Sequence, residues 1–324
     1  MRLYAVLYVR MLRYRVAAMV WMFMLLAAAR ADGLTRFTWD YVWATVALAS
    51  SYVTATAVND IADEQIDLVN HPRDHGRPLV SGDASVRDLY RLHALAAAIA
   101  LAAAAAVGLR ALAVIAGSLA IAWAYSLRPV RFSYRTYLAP PVLGIAYVGV
   151  PYELGLLAAG GRVDLVFAAA LFTLFVARIN LKDFRDRAGD AQYGRPTLLL
   201  RFGKDVTCLV SLLALVAGNA LLLAALRPPV AVAGMLEVYV LAVAWMLYGL
   251  REAPEGRLEQ VAIGLGARMG NGLLIAVLAW LILDGHGAGP ADEIVLQLAL
   301  LGAFGVGFVT LARRPNEVVL GYKG

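Results

Sequence analysis

Ten apolar stretches, each of roughly 16 to 23 residues, divide the chain at approximately 15–30, 38–58, 88–107, 109–127, 136–158, 163–181, 205–226, 229–250, 262–283 and 292–312. That pattern leaves few folds open. An α-helix rises 1.5 Å per residue, so about 20 apolar residues cross ~30 Å of hydrocarbon. Lipid offers the backbone no hydrogen-bond partners, and only helices and closed barrels then satisfy every N–H and C=O. Continuous apolar runs of this length are helical. The expected architecture is all-α: a polytopic membrane helix bundle of nine to ten transmembrane helices, in two pseudo-repeated halves around a central cavity opening near the cytoplasmic side. Residues 1–324 read as one transmembrane domain. Within it, residues 1–14 mix Arg with Leu, Tyr and Val and form an interfacial N-terminal helix, 15–283 form the core, and 292–312 form an additional C-terminal span. No small-residue cleavage site follows the first apolar run, so that run reads as a span and not as a cleaved signal.

Charge sets the orientation. Only 16% of residues are charged against 61% hydrophobic, too few charges to cover a water-soluble globule of this size. A nucleic-acid-binding domain, a disordered tail and a disulfide scaffold are excluded on the same grounds, and Cys208 stands alone. With ten spans, 24 of the 29 Lys and Arg residues fall on the side of the termini and five on the other. The positive-inside rule then places the termini and the longer loops in the cytoplasm of what is expected to be a prokaryotic cell membrane.

Two charged connections follow the second and sixth spans. Asp60, Asp63 and Asp67 lie 123 residues before Asp183, Asp186 and Asp190, and each set is followed by Gly-Arg-Pro, at residues 76–78 and 194–196. The same spacing twice, each time at the same end of an apolar helix, indicates an internal duplication in parallel orientation. On a helix, Asn59, Asp63 and Asp67 share one face, with Asp60 beside them. Like charges so placed repel, and the repulsion grows near a low-dielectric region. A hard divalent cation is the natural partner, because Mg2+ binds through one or two carboxylates plus substrate phosphates. Two such clusters facing each other would hold two or more Mg2+ ions around a diphosphate. An ordinary solvated loop explains one such motif more readily than two copies at equal spacing.

At these residues the chain resembles the UbiA superfamily of intramembrane prenyltransferases. That superfamily carries N-D-x-x-D-x-x-x-D after its second helix and D-x-x-D-x-x-x-D after its sixth, matched here by Asn59, Asp60, Asp63 and Asp67 and by Asp183, Asp186 and Asp190. Arg77, Pro78 and Gly82 match the R-P-x-x-x-G that follows the first motif, and Tyr125 and Arg128 match a Tyr-x-x-Lys/Arg after the fourth helix. Asn271 corresponds to an asparagine near the start of the ninth. The resemblance covers roughly residues 10–283, and residues 125–155 are locally similar to the chlorophyll synthase branch. The chain departs from the pattern in its tenth span, in Leu68 where a basic residue often stands, and in lacking an Arg-Pro start to the first span, for which Arg10, Arg13 and Arg15 are the only candidates.

The resemblance implies a Mg2+-dependent enzyme that ionises a prenyl diphosphate between the two acidic motifs and transfers the prenyl group to a lipophilic or aromatic acceptor. Asn59, Asp60, Asp63, Asp67, Asp183, Asp186 and Asp190 would hold metal, and Arg77, Arg128, Lys182 and Arg195 would contact the diphosphate. Asp63, Asp67, Asp186, Asp190, Arg77 and Lys182 form the implied catalytic set. Tyr125 and Tyr147, with Trp123 and Tyr152, would shield an allylic cation. Glu153 is expected to line the acceptor pocket, Asn180 and Asn271 to reach the site, and Asn219 and Glu237 to make helix–helix contacts. His71, His75, His93 and His286 read as loop or interface residues, and Arg131 and Arg135 as membrane-side anchors. Membrane lipids are the expected surroundings, with no nucleic acid. A terpene cyclase using the same diphosphate site is the alternative. A transporter fits less well, because transporter sites tend to sit at the bilayer midplane in broken helices.

Overall fold

The structure, a computed structural model, describes residues 2–72 and 74–315. Arg73 and Lys323, both counted above on the cytoplasmic side, lie outside these residues, as does Met1 of the interfacial segment. Every regular element among the described residues is helical. The chain begins with α1 (Arg2–Met11) and α2 (Tyr14–Asp32), followed by α3 (Trp39–Asn70), the short α4 (Pro78–Ser81), α5 (Val86–Val107) and α6 (Leu109–Ser126). A single 3-10 turn, Phe132–Tyr134, leads to α7 (Ala139–Gly144), which passes through a π-turn at Ile145–Gly149 into α8 (Val150–Ala159). The second half runs α9 (Leu165–Ile179), α10 (Lys182–Gln192), α11 (Leu198–Leu226), α12 (Val230–Glu252), α13 (Arg257–Gly285) and α14 (Pro290–Ala312). Among the described residues, nine helices or helix runs are long and apolar enough to cross a membrane, and α9 with α10 makes a tenth bent by 54°.

The acidic segments explain two departures from uniform spans. α3 has 32 residues, about 48 Å of helix against ~30 Å of hydrocarbon. Its surplus of three turns matches the stretch from Asn59 to Asn70, so the first motif is the polar end of a spanning helix and not a loop. α9 has only 15 residues, about 22 Å, and stops where Asn180 meets a run of charge. The second motif occupies the separate helix α10. The two copies of one spacing therefore sit on different local structures.

Prolines shape the fifth span. Pro151 carries no N–H for the Tyr147 carbonyl, and its ring would crowd that carbonyl in a regular helix. The π-turn widens the helix in the turn that holds Tyr147.

α3 and α13 are the most buried spans of their halves. Glycines let α2 approach α13 and α8 closely. Gly33 ends α2 at φ 67° and meets Gly285 at the end of α13, where a Cβ on either would strike the other's Cα. A Cβ on Gly155 of α8 would fall on the Met24 carbonyl of α2. α14 is peripheral, with 6% of its apolar window buried, yet Trp280 Nε1 donates to Glu293 at 3.2 Å and Gln297 Nε2 to the Ala276 carbonyl at 2.9 Å. Those bonds pin it to α13 in a medium with no competing water. Asn219 Nδ2 donates to Glu237 Oε1 at 2.7 Å, the helix–helix contact expected of both residues.

Of the histidines expected in loops or at interfaces, His93 is buried where α3, α5 and α6 meet, between the Thr54 carbonyl at 3.2 Å and the Trp123 indole N–H at 3.1 Å, and His71 lies just past the end of α3. The Gly155 contact yields a first prediction: Gly155→Val should destabilise the protein by about 1–3 kcal/mol through overpacking, read as a lowered Tm in detergent, whereas Gly117→Val, where a Cβ meets nothing within 4 Å, should not.

Candidate active site at the acidic end of the bundle

The carboxylates of the two motifs lie at one end of the bundle, buried except for the half-buried Asp186, and are held by basic residues from several elements. Arg13, in the linker between α1 and α2, donates from Nη2 to both Asp60 oxygens at 2.6 and 2.7 Å. Its left-handed backbone, φ 44°, turns the chain between the two helices at that point. Arg77 pairs with Asp67 and lies 3.9 Å from Asp60. Asn59 Nδ2 donates to Asp63 Oδ2 at 3.0 Å. On α10, Lys182 lies 3.3 Å from Asp183, and Asp186 takes Arg185 Nε at 2.9 Å.

Arg195 joins the motifs. Gly194, at φ 64°, reverses the chain after α10, and the Arg195 N–H donates to the Asp190 carbonyl at 2.8 Å. The guanidinium then lies 2.5 Å from Asp63 Oδ1 and 3.4 Å from Asp190 Oδ1. Burial alone would lower its pKa, but the charges of Asp63 and Asp190 outweigh that and raise it above the ordinary arginine value. The two halves meet again where His71 Nε2 lies 3.0 Å from Asp186 and the Gly189 N–H donates to Asn70 Oδ1 at 2.6 Å. Burial lowers the His71 pKa, so a neutral ring with its proton on Nε2 makes the first contact. A Cβ on Gly189 would strike Asn70 and the Ile66 carbonyl, so glycine is what admits α10 this close to α3.

Charge is balanced here better than hydrogen bonding is. Asp190 is 0% exposed and neither of its carboxylate oxygens has a hydrogen bond, and Asp63 Oδ1, Asn180 Oδ1, and Nε and Nη2 of Arg195 lack one as well. The Arg195–Asp63 approach is an ion pair without hydrogen-bond geometry. Buried polar atoms left in this way are costly unless a further partner uses them. Among the described residues, no three His, Cys, Asp or Glu side chains already converge on one point. Mg2+ does not require that, since it binds through one or two carboxylates and completes its shell with water and phosphate oxygens. The set is entirely hard oxygen, which suits Mg2+ and not a thiophilic metal.

Two cavities flank the end of α9. A polar cleft is lined by Tyr125, Ser133, Thr136, Asn180, Lys182, Asp183 and Arg195, with Pro140, Leu143 and Ile179 as its apolar wall. A narrow apolar pocket lies among Met19, Phe23, Leu174, Phe175, Leu215, Val243, Leu273 and Leu274, with Arg178 and Gly270. Aromatic rings lead to it: Tyr52 meets Tyr147 edge-on at 6.0 Å, Tyr147 stacks on Phe175 at 5.6 Å, and Phe175 meets Phe23 at 6.2 Å.

The structure thus gathers Asn59, Asp60, Asp63, Asp67, Arg77, Tyr125, Asn180, Lys182, Asp183, Asp186, Asp190 and Arg195 in or beside this end. Tyr147 lies in the aromatic run. Glu153 does not join them: it pairs at 2.6 Å with Arg110, which stands beside the α5–α6 turn. Arg128 is exposed, and Arg131 instead lies 3.8 Å from Asp63 with its guanidinium over Tyr134, closer to the site than a membrane-side anchor would be. Asn271 is half-buried on α13 beside Gly270. Arg13 and His71 also enter the site. Their only sequence signals were a basic residue before the first span and a histidine four places after Asp67.

These features define an integral membrane helix bundle with a buried acid–arginine cluster at one end. The chain belongs to the UbiA prenyltransferase family, whose model matches residues 17–261. Among curated proteins it is similar to the bacteriochlorophyll synthase 33 kDa chain of Cereibacter sphaeroides, 29% identical over 174 residues that make up 52% of this chain and 57% of the relative. It is 31% identical over 173 residues to homogentisate phytyltransferase of Synechocystis sp., covering 50% and 54% of the two chains. The chain thus aligns with about half the length of these relatives. The fold is shared with solved structures: digeranylgeranylglyceryl phosphate synthase, at TM-score 0.65 and 16% identity over 86% of this chain and 99% of that one, and a UbiA homolog from Archaeoglobus fulgidus bound to GPP and Mg2+, at TM-score 0.58 and 17% identity over 97% and 99%.

Arg195→Gln removes the one cation shared by Asp63 and Asp190. Stripping one partner from a buried pair costs about 3–5 kcal/mol. We expect that loss in reversible unfolding from mixed micelles, with Arg195→Lys losing roughly half as much.

Proposed function

We propose that this protein is a Mg2+-dependent intramembrane prenyltransferase, which ionises a prenyl diphosphate between its two acidic segments and transfers the prenyl group to a lipophilic or aromatic acceptor. The observation that carries the reading is the junction at Arg195, where Asp63 of one segment and Asp190 of the other approach one guanidinium and Asp190 keeps two buried oxygens without hydrogen bonds. Family membership supports the reaction class. The names of two relatives, a bacteriochlorophyll synthase and a homogentisate phytyltransferase, support a lipophilic or aromatic acceptor.

Asp60, Asp63 and Asp67 would hold metal on one side, with Asn59 beside them, and Asp183, Asp186 and Asp190 on the other. Two or more Mg2+ ions so bound supply positive charge to the diphosphate oxygens. Arg77, Lys182 and Arg195 add fixed donors there, and guanidinium groups match phosphate oxygens in pairs. As the allylic C–O bond breaks, its electron pair leaves with the diphosphate, and cations already in place stabilise that charge. The acceptor's nucleophilic atom, an electron-rich carbon or an oxygen, then bonds to the allylic carbon, and any proton it carried passes to the departing diphosphate or to solvent. The apolar pocket suits a prenyl chain. Phe23, Phe175 and Tyr147 present π-faces to a developing cation and keep water away from it. The polar cleft, with Tyr125, Asn180 and Lys182, offers a head-group subsite for the acceptor. The bias of Lys and Arg supports an acidic end facing the cytoplasm of a prokaryotic cell membrane.

The test uses purified protein in detergent with Mg2+ and labelled prenyl diphosphates, with and without a lipid and quinone-precursor extract. Mg2+-dependent diphosphate release should accompany a prenylated product when the extract is added. Asp63→Ala and Asp186→Ala should each lose ~100-fold or more of this rate. Equal release from both variants contradicts the reading, and a cyclic hydrocarbon formed without extract replaces the transferase with a cyclase. Asp190→Asn separates chemistry from folding: Arg195 keeps Asp63 as its counter-charge and Asp190 gives up no hydrogen bonds, so the Tm should fall by only a few degrees while turnover falls by a similar factor to the alanine variants.

A further inference from the structure

Opposite the face of α10 that meets α3, a second ionic cluster lies outside the site. Glu259, in the first turn of α13, is 2% exposed. Arg187 Nη2 lies 3.3 Å from both of its carboxylate oxygens, and Lys204 Nζ lies 2.9 Å from Oε1. Oε2 also accepts the Gly256 N–H at 3.3 Å, capping the start of its own helix. The cluster ties three helices together, with Arg187 on α10, Lys204 on α11 and Glu259 on α13. Lys204 follows the kink at Gly203, whose φ of 81° and ψ of 178° break the helical path, and it donates to the Ala253 carbonyl as well. Arg187 also pairs with the exposed Glu255 and lies over the Phe184 ring, 5.5 Å from its centroid.

The position of Arg187 on α10 gives this cluster a consequence for the acidic motif. Arg187 lies four residues after Asp183 and three before Asp190, spacings at which helical side chains meet. A long, flexible arginine at that position can pair with either aspartate. Its guanidinium is instead held away from them by a buried carboxylate on another helix. Glu259 thereby keeps one more cation out of a cluster whose negative charge has to remain open to metal.

We propose that Glu259 is a positioning residue for this reaction, which sequesters Arg187 from Asp183 and Asp190 and so preserves the divalent-cation affinity of the second acidic segment. The proposal rests on the reading of that segment as a metal site. With Glu259→Gln, Lys204 loses its carboxylate and Arg187 keeps only Glu255, a solvent-exposed partner whose hold is weak. Arg187 then swings along α10 to the nearest carboxylates and competes with the metal.

Mn2+ binding, followed by electron paramagnetic resonance in the presence of a prenyl thiodiphosphate, tests this without turnover. Glu259→Gln should weaken Mn2+ binding by about tenfold, the scale on which partners lying behind a metal's ligands act. Arg187→Gln alone should leave it unchanged. The double variant Glu259→Gln/Arg187→Gln should return binding to the parental value, because the competing cation is gone. In turnover assays the same shift should appear in the Mg2+ concentration needed for half-maximal rate, with kcat at saturating Mg2+ little altered. Glu259→Asp, which keeps the charge on a shorter arm, should weaken Mn2+ binding by about threefold and serves where the Gln variant does not accumulate.

An unchanged Mn2+ affinity in both Glu259 variants overturns the proposal. So does a double variant no better than Glu259→Gln, which would make the cluster a purely structural brace. If the parent protein binds no Mn2+ at all, the reading of the acidic segments fails first.

Discussion

A buried carboxylate has to be neutralised, and Arg195 does this for two at once, one from each half of the chain. The arrangement of helices around it follows from that requirement. α3 is long enough to carry the first motif beyond the hydrocarbon, and α9 stops short so that α10 can turn toward it. Gly189 admits the close approach of α10 to α3, and Gly194 swings Arg195 back between them. Arg13 and Arg77 serve Asp60 and Asp67 in the same way from the first half. The cluster reaches near charge balance while leaving oxygens without hydrogen bonds. A structure selected for stability alone has no reason to keep such atoms.

The end of α9 is also where two kinds of space are separated. One side is lined by Lys182, Asp183, Asn180 and Tyr125, and the other by Leu174, Phe175, Phe23 and Leu273. Lys182 and Arg195 put charge on one face of this point, while aliphatic and aromatic side chains keep the other face apolar.

Much of this was readable from residue order. Span positions follow from length and hydropathy, and helices end at Gly108, which lacks a Cβ, and at Arg227-Pro228-Pro229, where proline cannot continue the helix. The paired acidic spacing singled out residues that do come together. What escaped the sequence depends on contact across the chain. His71 and Asp186 are 115 positions apart, and no spacing rule predicts that they touch. Arg131 reads as an anchor because positive-inside counting treats every loop arginine alike, yet the turn at Phe132–Tyr134 brings it toward Asp63. Glu153 drew attention as an acid within a span, and Arg110, beside the α5–α6 turn, supplies its neutralisation away from the acidic cluster. The duplication in sequence also concealed a difference in form, since one motif ends a spanning helix and the other occupies a helix of its own.

The most direct measurement is a crystal structure of the protein with Mn2+ and a prenyl thiodiphosphate, collected at the manganese edge. The account predicts anomalous peaks about 2.1 Å from oxygens of the first motif and of the second, with the thiodiphosphate between them and its chain in the pocket lined by Phe23, Phe175 and Leu273. Manganese absent from both motifs, or a thiodiphosphate bound away from Arg77, Lys182 and Arg195, would contradict it.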